Sequence, residues 1–129
     1  IDSILLISPT TSPDRIEKIC AKASGYIYYV SLKGVTGAGN LNVPEVAAQV
    51  GLIRQCTSLP ICVGFGIKDA ASAKSVAGIA DGVVVGSVLV SNIAAAAEQQ
   101  MPGDLNVTAL GEIVAKLVKD ISVGANSVE

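Results

Sequence analysis

Residues 60–90 read PICVGFGIKDAASAKSVAGIADGVVVGSVLV. Two short apolar runs, Pro60–Val63 and Gly82–Val85, flank Asp69–Ala77, a segment of helix-favouring residues led by a carboxylate suited to cap a helix. The stretch therefore reads strand, helix, strand. A connection of this length is no hairpin; it is a helical crossover, and the two strands run parallel. Each run is continuously apolar, the pattern of a strand covered on both faces. Each also ends at glycine. Gly64 and Gly66 follow the first run, and Gly86-Ser87 follow the second, directly before another helical segment.

The same unit repeats towards the N-terminus. Ser3–Ile7 (SILLI) and Tyr26–Leu32 (YIYYVSL) are two more strand-like runs. Between them, Ser12-Pro13-Asp14 opens a helix with a cap residue and a proline in the first turn. It continues as RIEKICAKAS, with Ile16, Ile19, Cys20 and Ala23 on one face. Pro44–Cys56 is a further helix, with Val46, Val50 and Ile53 at helical spacing. Val88–Gln100 and Thr108–Ile121 are the last two, parted by Pro102-Gly103-Asp104. The order β-α-β-α-β-α-β-α-α predicts one α/β domain over residues 1–129, with parallel strands, outer helices and right-handed crossovers. Two architectures share that order: an open doubly wound sheet and part of a TIM (β/α)8 barrel. A closed barrel takes about 250 residues, and 129 residues are about half of that. The start at Ile1, without a methionine, favours a piece of a longer polypeptide over an open sheet.

Half of the residues are apolar and 16% are charged, a balance that buries a core and argues against disorder. A net charge of −2 without a basic run argues against nucleic acid or an anionic membrane as a partner. No apolar stretch reaches the roughly 18 residues of a membrane span. Cys20, Cys56 and Cys62 form no C-x-x-C pair, which predicts reduced, mostly buried thiols and a cytoplasmic setting. There is no histidine. A Ser-His-Asp triad, a Cys-His pair and a His-ligated metal are thus excluded within this chain, and no metal site is expected. Asp2, Asp14, Asp69 and Asp81 sit at turns or caps, and none reads as a general base.

In parallel α/β proteins the working residues lie beyond the carboxyl ends of the strands. Those ends read Ser8-Pro9-Thr10-Thr11, Ser31 to Asn40 (SLKGVTGAGN), Gly64-Phe65-Gly66-Ile67 and Gly86-Ser87. Hydroxyl residues and glycines collect there, and Lys33 is the one charged group. Glycine lets the backbone approach a ligand and point N–H groups at an anion. Gly86-Ser87 opens a helix, whose free N–H groups and dipole favour a phosphate. Barrels commonly build such a site after their seventh and eighth strands with a short extra helix. Two helices do follow the last strand here. The Gly64 to Gly66 pair is not a dinucleotide fingerprint, because the third glycine is missing. Tyr26 and Tyr28 share one strand face and Tyr29 takes the other. One of them lining a pocket, or all three packing against helices, fits that alternation.

YYVSLKGVTGAGN at residues 28–40, followed by the 60–90 stretch, resembles the C-terminal half of the tryptophan synthase α subunit. The resemblance runs from SPTTSPDRI to the closing helix. GVTGA, the GFGI turn and the GSxxV turn together are specific to that family, whereas other phosphate-binding barrels share only the last two. The resemblance implies strands five to eight of a (β/α)8 barrel. It implies a lyase of tryptophan biosynthesis that splits indole-3-glycerol phosphate into indole and glyceraldehyde 3-phosphate, within an α2β2 complex. The β subunit of that complex carries pyridoxal phosphate, and no cofactor is implied for this chain. By residue matching, Gly37 comes near the substrate phosphate, while Gly66, Gly86 and Ser87 hold it. Gly64 and Phe65 line the site, Tyr28 contacts the substrate interior, and Thr36 belongs to a lid that steadies a catalytic aspartate. The catalytic glutamate and aspartate belong to the N-terminal half, so no catalytic residue is assigned here. Many relatives carry arginine where this chain reads Leu32-Lys33, which alters a charged loop contact. A non-catalytic phosphate-binding α/β module and a self-pairing half-barrel are the alternative readings.

Overall fold

The computed structural model describes residues 1–31, 42–64, 66–99 and 106–127. Its elements run β1 (Leu5–Ile7), α1 (Pro13–Cys20), β2 (Ile27–Val30), α2 (Val43–Arg54), β3 (Ile61–Gly64), α3 (Ala70–Ala77), β4 (Gly82–Val84), α4 (Ser87–Glu98) and α5 (Val107–Ala125). The four strands form one parallel sheet in the order β1-β2-β3-β4. That order decides between the two architectures. A doubly wound sheet reverses direction at a switch point, and this sheet does not reverse. With right-handed crossovers, an unreversed order carries every crossover helix on one face, as in a barrel wall.

Strand alternation then sorts the side chains. Ile7, Ile27, Tyr29, Ile61 and Val63 point to the helix side and are fully buried. Their register is Ile7 beside Tyr29, Tyr29 beside Val63, and Ile27 beside Ile61. The helices meet them with Ile16 and Cys20, with Val46, Val50 and Ile53, with Ala73 and Val76, and with Ile121. The opposite face carries Leu6, Tyr28, Cys62 and Gly82 in one row. Leu6 is 60% exposed there, and the rest of the row is half-buried. Coverage of both strand faces, expected from the continuous apolar runs, is therefore met on the helix side only.

Local sequence explains most of the boundaries. Asp69 caps α3 in a reciprocal box: its carboxylate accepts the Ser72 N–H at 2.8 Å, and the Ser72 hydroxyl accepts the Asp69 N–H at 3.2 Å. Asn42 and Asn106 cap α2 and α5 by accepting the N–H of Glu45 and of Ala109. Helix α1 ends at Cys20, short of the expected Ser24, although Ala23 still packs against the core. Helix α5 runs four residues past the expected Ile121, to Ala125. Packing accounts for the extension, because Gly124 is buried directly against the backbone of Ala70 at the start of α3.

All three cysteines are free, with Cys20 buried and Cys56 and Cys62 half-buried. Among the described residues, no group of His, Cys, Asp or Glu side chains is placed to hold a metal, and no helix is long and apolar enough to cross a membrane.

Candidate functional site

Register places the candidate residues. Val30 pairs with Gly64, and Gly64 pairs with Val84, so the carboxyl ends of β2, β3 and β4 lie level. Ser31, Gly66 and Gly86-Ser87 leave the sheet from those adjacent ends. Thr36, Gly37 and Phe65 lie outside the described residues, as does Lys33. Tyr28, Gly64, Gly66, Gly86 and Ser87 can each be placed.

Gly66 has φ of +82°, a left-handed backbone that side chains with a Cβ disfavour. Gly64 is needed for space. A Cβ there would fall on the Tyr28 hydroxyl and the ring carbon that bears it. The Tyr28 ring thus lies across the sheet, from its own position beside Cys62 towards the end of β3. Burial raises the Tyr28 pKa, and the neighbouring Tyr26 adds to the rise. The Tyr28 hydroxyl therefore stays protonated at neutral pH and can donate to an oxygen. Of the three tyrosines, Tyr29 packs under the helices and Tyr28 lies half-buried on the opposite face.

Helix α4 begins differently from α2, α3 and α5. Its N-cap is Gly86, and no side chain caps it. The Gly86 carbonyl accepts the N–H groups of Leu89 and Val90. The amides of the first turn point out of the helix start, and a Cβ at Gly86 would meet nothing within 4 Å. A small, uncapped, open helix start after the strand next to the one that leads to Gly66 is the kind of backbone that favours a bound anion.

Two features were not singled out in the sequence. Ser31, the last described residue of its strand end, donates from both its hydroxyl and its amide to the Gly64 carbonyl, at 2.9 and 3.1 Å. Further along the same rim, Leu6, Ser8, Thr10, Thr11, Arg15 and Val30 line a cleft of ≈ 400 Å³. Its hydroxyls bond one another: Ser8 Oγ lies 3.0 Å from Thr10 Oγ1 and 3.2 Å from Thr11 Oγ1, and Thr11 Oγ1 also accepts the Ser8 N–H at 3.0 Å. The hydroxyls of Ser8, Thr10 and Thr11 stand out at a strand end in the sequence, but nothing local places Arg15 beside them.

The profile of the family described as tryptophan synthase alpha chain matches residues 1–119. The chain belongs to the tryptophan synthase alpha chain family. The tryptophan synthase alpha chain of Psychrobacter arcticus is 56% identical over 94 residues, which cover 73% of this chain and 34% of that protein. That of Thiobacillus denitrificans is 47% identical over 127 residues, 98% of this chain and 43% of that one. A crystal structure of tryptophan synthase subunit alpha from Legionella pneumophila superposes with a TM-score of 0.68 at 37% identity, over 95% of this chain and 43% of that chain. The chain thus spans between a third and a half of the length of the tryptophan synthase alpha chains it matches. Its four-stranded sheet is a half-barrel of the family's TIM fold.

Proposed function

We propose that this chain is the phosphate-anchoring half of a tryptophan synthase α subunit, a lyase that cleaves indole-3-glycerol phosphate into indole and glyceraldehyde 3-phosphate. The observation that carries the reading is the level alignment of β3 and β4. Gly66, with its left-handed backbone, and the uncapped start of α4 at Gly86-Ser87 each follow two residues after those level, neighbouring strand ends. In this reading those amides and the Ser87 hydroxyl hold the phosphate as a dianion, by helix dipole and direct N–H donation. Anchoring one end of the substrate fixes its other end over the inner face, where Tyr28 donates to an interior oxygen. Gly37 joins the phosphate contacts, Phe65 and Gly64 line them, and Thr36 acts on the lid.

The cleavage is a retro-aldol step. The indole ring takes up a proton at the carbon bonded to the glycerol chain, and the adjacent side-chain hydroxyl loses one. The carbon–carbon bond breaks, its electron pair returning to the indole ring as the hydroxyl carbon becomes the aldehyde. Both proton transfers need positioned groups. We assign them to a glutamate and an aspartate in the N-terminal half of the full-length α subunit. Residues 1–129 then supply binding and positioning, and need no cofactor or metal of their own. The β subunit, with pyridoxal phosphate, would receive the indole in an α2β2 assembly in the cytoplasm.

A steady-state assay with indole-3-glycerol phosphate tests this. The complete polypeptide carrying residues 1–129 is expected to release indole, and Gly66→Asp is expected to raise KM sharply by placing a negative charge at the phosphate. Residues 1–129 alone are expected to show no turnover. Appreciable turnover by them would overturn the assignment of the acid and base.

A further inference from the structure

We infer that Ser31 is a positioning residue for the phosphate rim, acting through the Gly64 carbonyl; the inference rests on the reading of that rim given above. The Ser31 amide donates to Gly64 O at 3.1 Å, which is the last rung of the β2–β3 ladder. The Ser31 hydroxyl donates to the same oxygen at 2.9 Å. Both lone pairs of one carbonyl are thereby engaged from a single neighbouring residue. A backbone N–H alone lets a terminal rung fray. A second donor from another direction fixes the plane of the carbonyl and so the direction in which the chain leaves β3.

That direction matters because Gly66 follows two residues later with φ of +82°. Its amide points at the anion only if the preceding peptide planes hold their orientation. The constraint comes from two sides. A Cβ at Gly64 would strike the hydroxyl end of the Tyr28 ring, so the tip of Tyr28 already abuts Gly64. Ser31 then locks the carbonyl of the same residue from the far end of β2. Strand β2 thus grips Gly64 at Tyr28 and again at Ser31, and the rim is oriented by a strand that supplies none of its placed anion contacts. Local sequence does not reveal this, because the partners lie 33 residues apart.

The test uses the complete polypeptide that carries residues 1–129, with inorganic phosphate as the probe in titration calorimetry and thermal melting recorded alongside. Ser31→Ala is expected to weaken phosphate binding about fivefold, the scale of one neutral hydrogen bond. Ser31→Thr, which keeps the hydroxyl, is expected to bind as the parent does. Ser72→Ala, which breaks the α3 capping box away from the rim, serves as the structural control. It should lower the melting temperature and leave phosphate affinity unchanged. Equal phosphate affinity in Ser31→Ala and the parent, with binding abolished by Gly66→Asp, would overturn the role of Ser31 and leave the rim intact. Loss of affinity in Ser72→Ala equal to that in Ser31→Ala would also overturn it, as an effect of stability alone. Unchanged binding in Gly66→Asp would remove the rim itself, and the inference with it.

Discussion

The two ends of the sheet are wired by different chemistry. At the amino ends, long-range polar bonds tie strands together. The Asp81 carboxylate accepts the Ile61 N–H at 2.8 Å and a hydrogen bond from the Arg54 guanidinium at 2.8 Å, while the Asp81 N–H donates to Ile61 O at 2.9 Å. Strand β3 is thus clamped to the turn before β4 and to the end of α2. At the carboxyl ends, glycines, hydroxyls and an uncapped helix replace charge pairs. One end is tied by a charged clamp between strands, and the other by hydroxyl bonds beside a helix start that no side chain caps. In barrels the amino-terminal face reads as stability and the carboxyl-terminal face as chemistry, and the contrast between the two ends of this sheet follows that pattern.

The largest effect should come from the carboxyl end. In the complete protein, Gly64→Ala puts a methyl group where the Tyr28 hydroxyl sits. The tyrosine must swing away, because the strand backbone cannot. A displacement of about 1 Å at a substrate contact costs on the order of 100-fold in rate. We therefore expect kcat/KM to fall by about that factor with a melting temperature close to the parent's. Tyr28→Leu, which removes the ring and its hydroxyl, should itself lower kcat/KM, and adding Gly64→Ala to it should then cost little more, because the clash is gone. Independent, additive losses in the double variant would break the link between the two residues.

Next in size is a change that separates packing from propensity within one helix. At Gly124 in α5, a Cβ would come within 2.6 Å of Ala70 Cα and 2.8 Å of its carbonyl carbon. Neither backbone can yield cheaply, so Gly124→Ala should destabilise by about 2 kcal/mol. Helix propensity alone predicts the opposite sign, a gain of about 1 kcal/mol. Gly111, in the same helix, meets nothing within 4 Å, and there Gly111→Ala should show that gain. Denaturant unfolding of both variants measures the contrast. Matching signs would mean that α5 does not buttress the start of α3 through Gly124.

At the amino end, Asp81→Ala should lower stability by about 2 kcal/mol and leave kcat unchanged in the complete protein. Most of that loss comes from stranding the part-buried Ile61 N–H. The Arg54 pair adds little, since both side chains are more than a third exposed. A fall in kcat without a fall in stability would contradict the division between the two ends.

Much of this was legible because it is local. The Asp69 cap and the stripe of Val46, Val50 and Ile53 are written within one helical turn or a few, and the structure places them as read. The glycines at strand ends are local too, so Gly64, Gly66, Gly86 and Ser87 stand out in the sequence alone. What stayed hidden depends on register. The Arg54, Asp81 and Ile61 clamp joins residues 20 and 27 apart, and Asp81 alone reads as a turn residue. The hydrogen bond from Ser31 and the contact between Tyr28 and Gly64 likewise exist only once β2 is set beside β3. The true end of α5 depends on Gly124 finding Ala70, a contact that no helix-stop signal encodes.

The smallest expected effect concerns pH. Asp69 and Asp81 both have carboxyls held below the usual carboxylate range. For Asp69 the hydrogen bonds from the Ser72 hydroxyl and amide dominate, and for Asp81 the Ile61 amide does, followed by Arg54. A group whose folded pKa is depressed stabilises the protein above its unfolded pKa, and that contribution is lost as pH falls through the folded value. Both contributions are therefore complete at neutral pH and fade only below about pH 4. Asp69→Asn keeps an oxygen able to cap α3 and removes the charge. Asparagine and aspartate cap about equally, so stability at pH 7 should change by less than about 0.5 kcal/mol. Between pH 4 and 2 the variant should lose less stability than the parent, because one proton-linked term is gone. Asp81→Asn should flatten the acid limb as well, but from a lower starting stability, since a neutral amide oxygen accepts from Ile61 and Arg54 more weakly than the charged carboxylate oxygen that takes both bonds. An acid limb unchanged in Asp69→Asn and flattened only in Asp81→Asn would place the acid sensitivity of the fold wholly at its amino end.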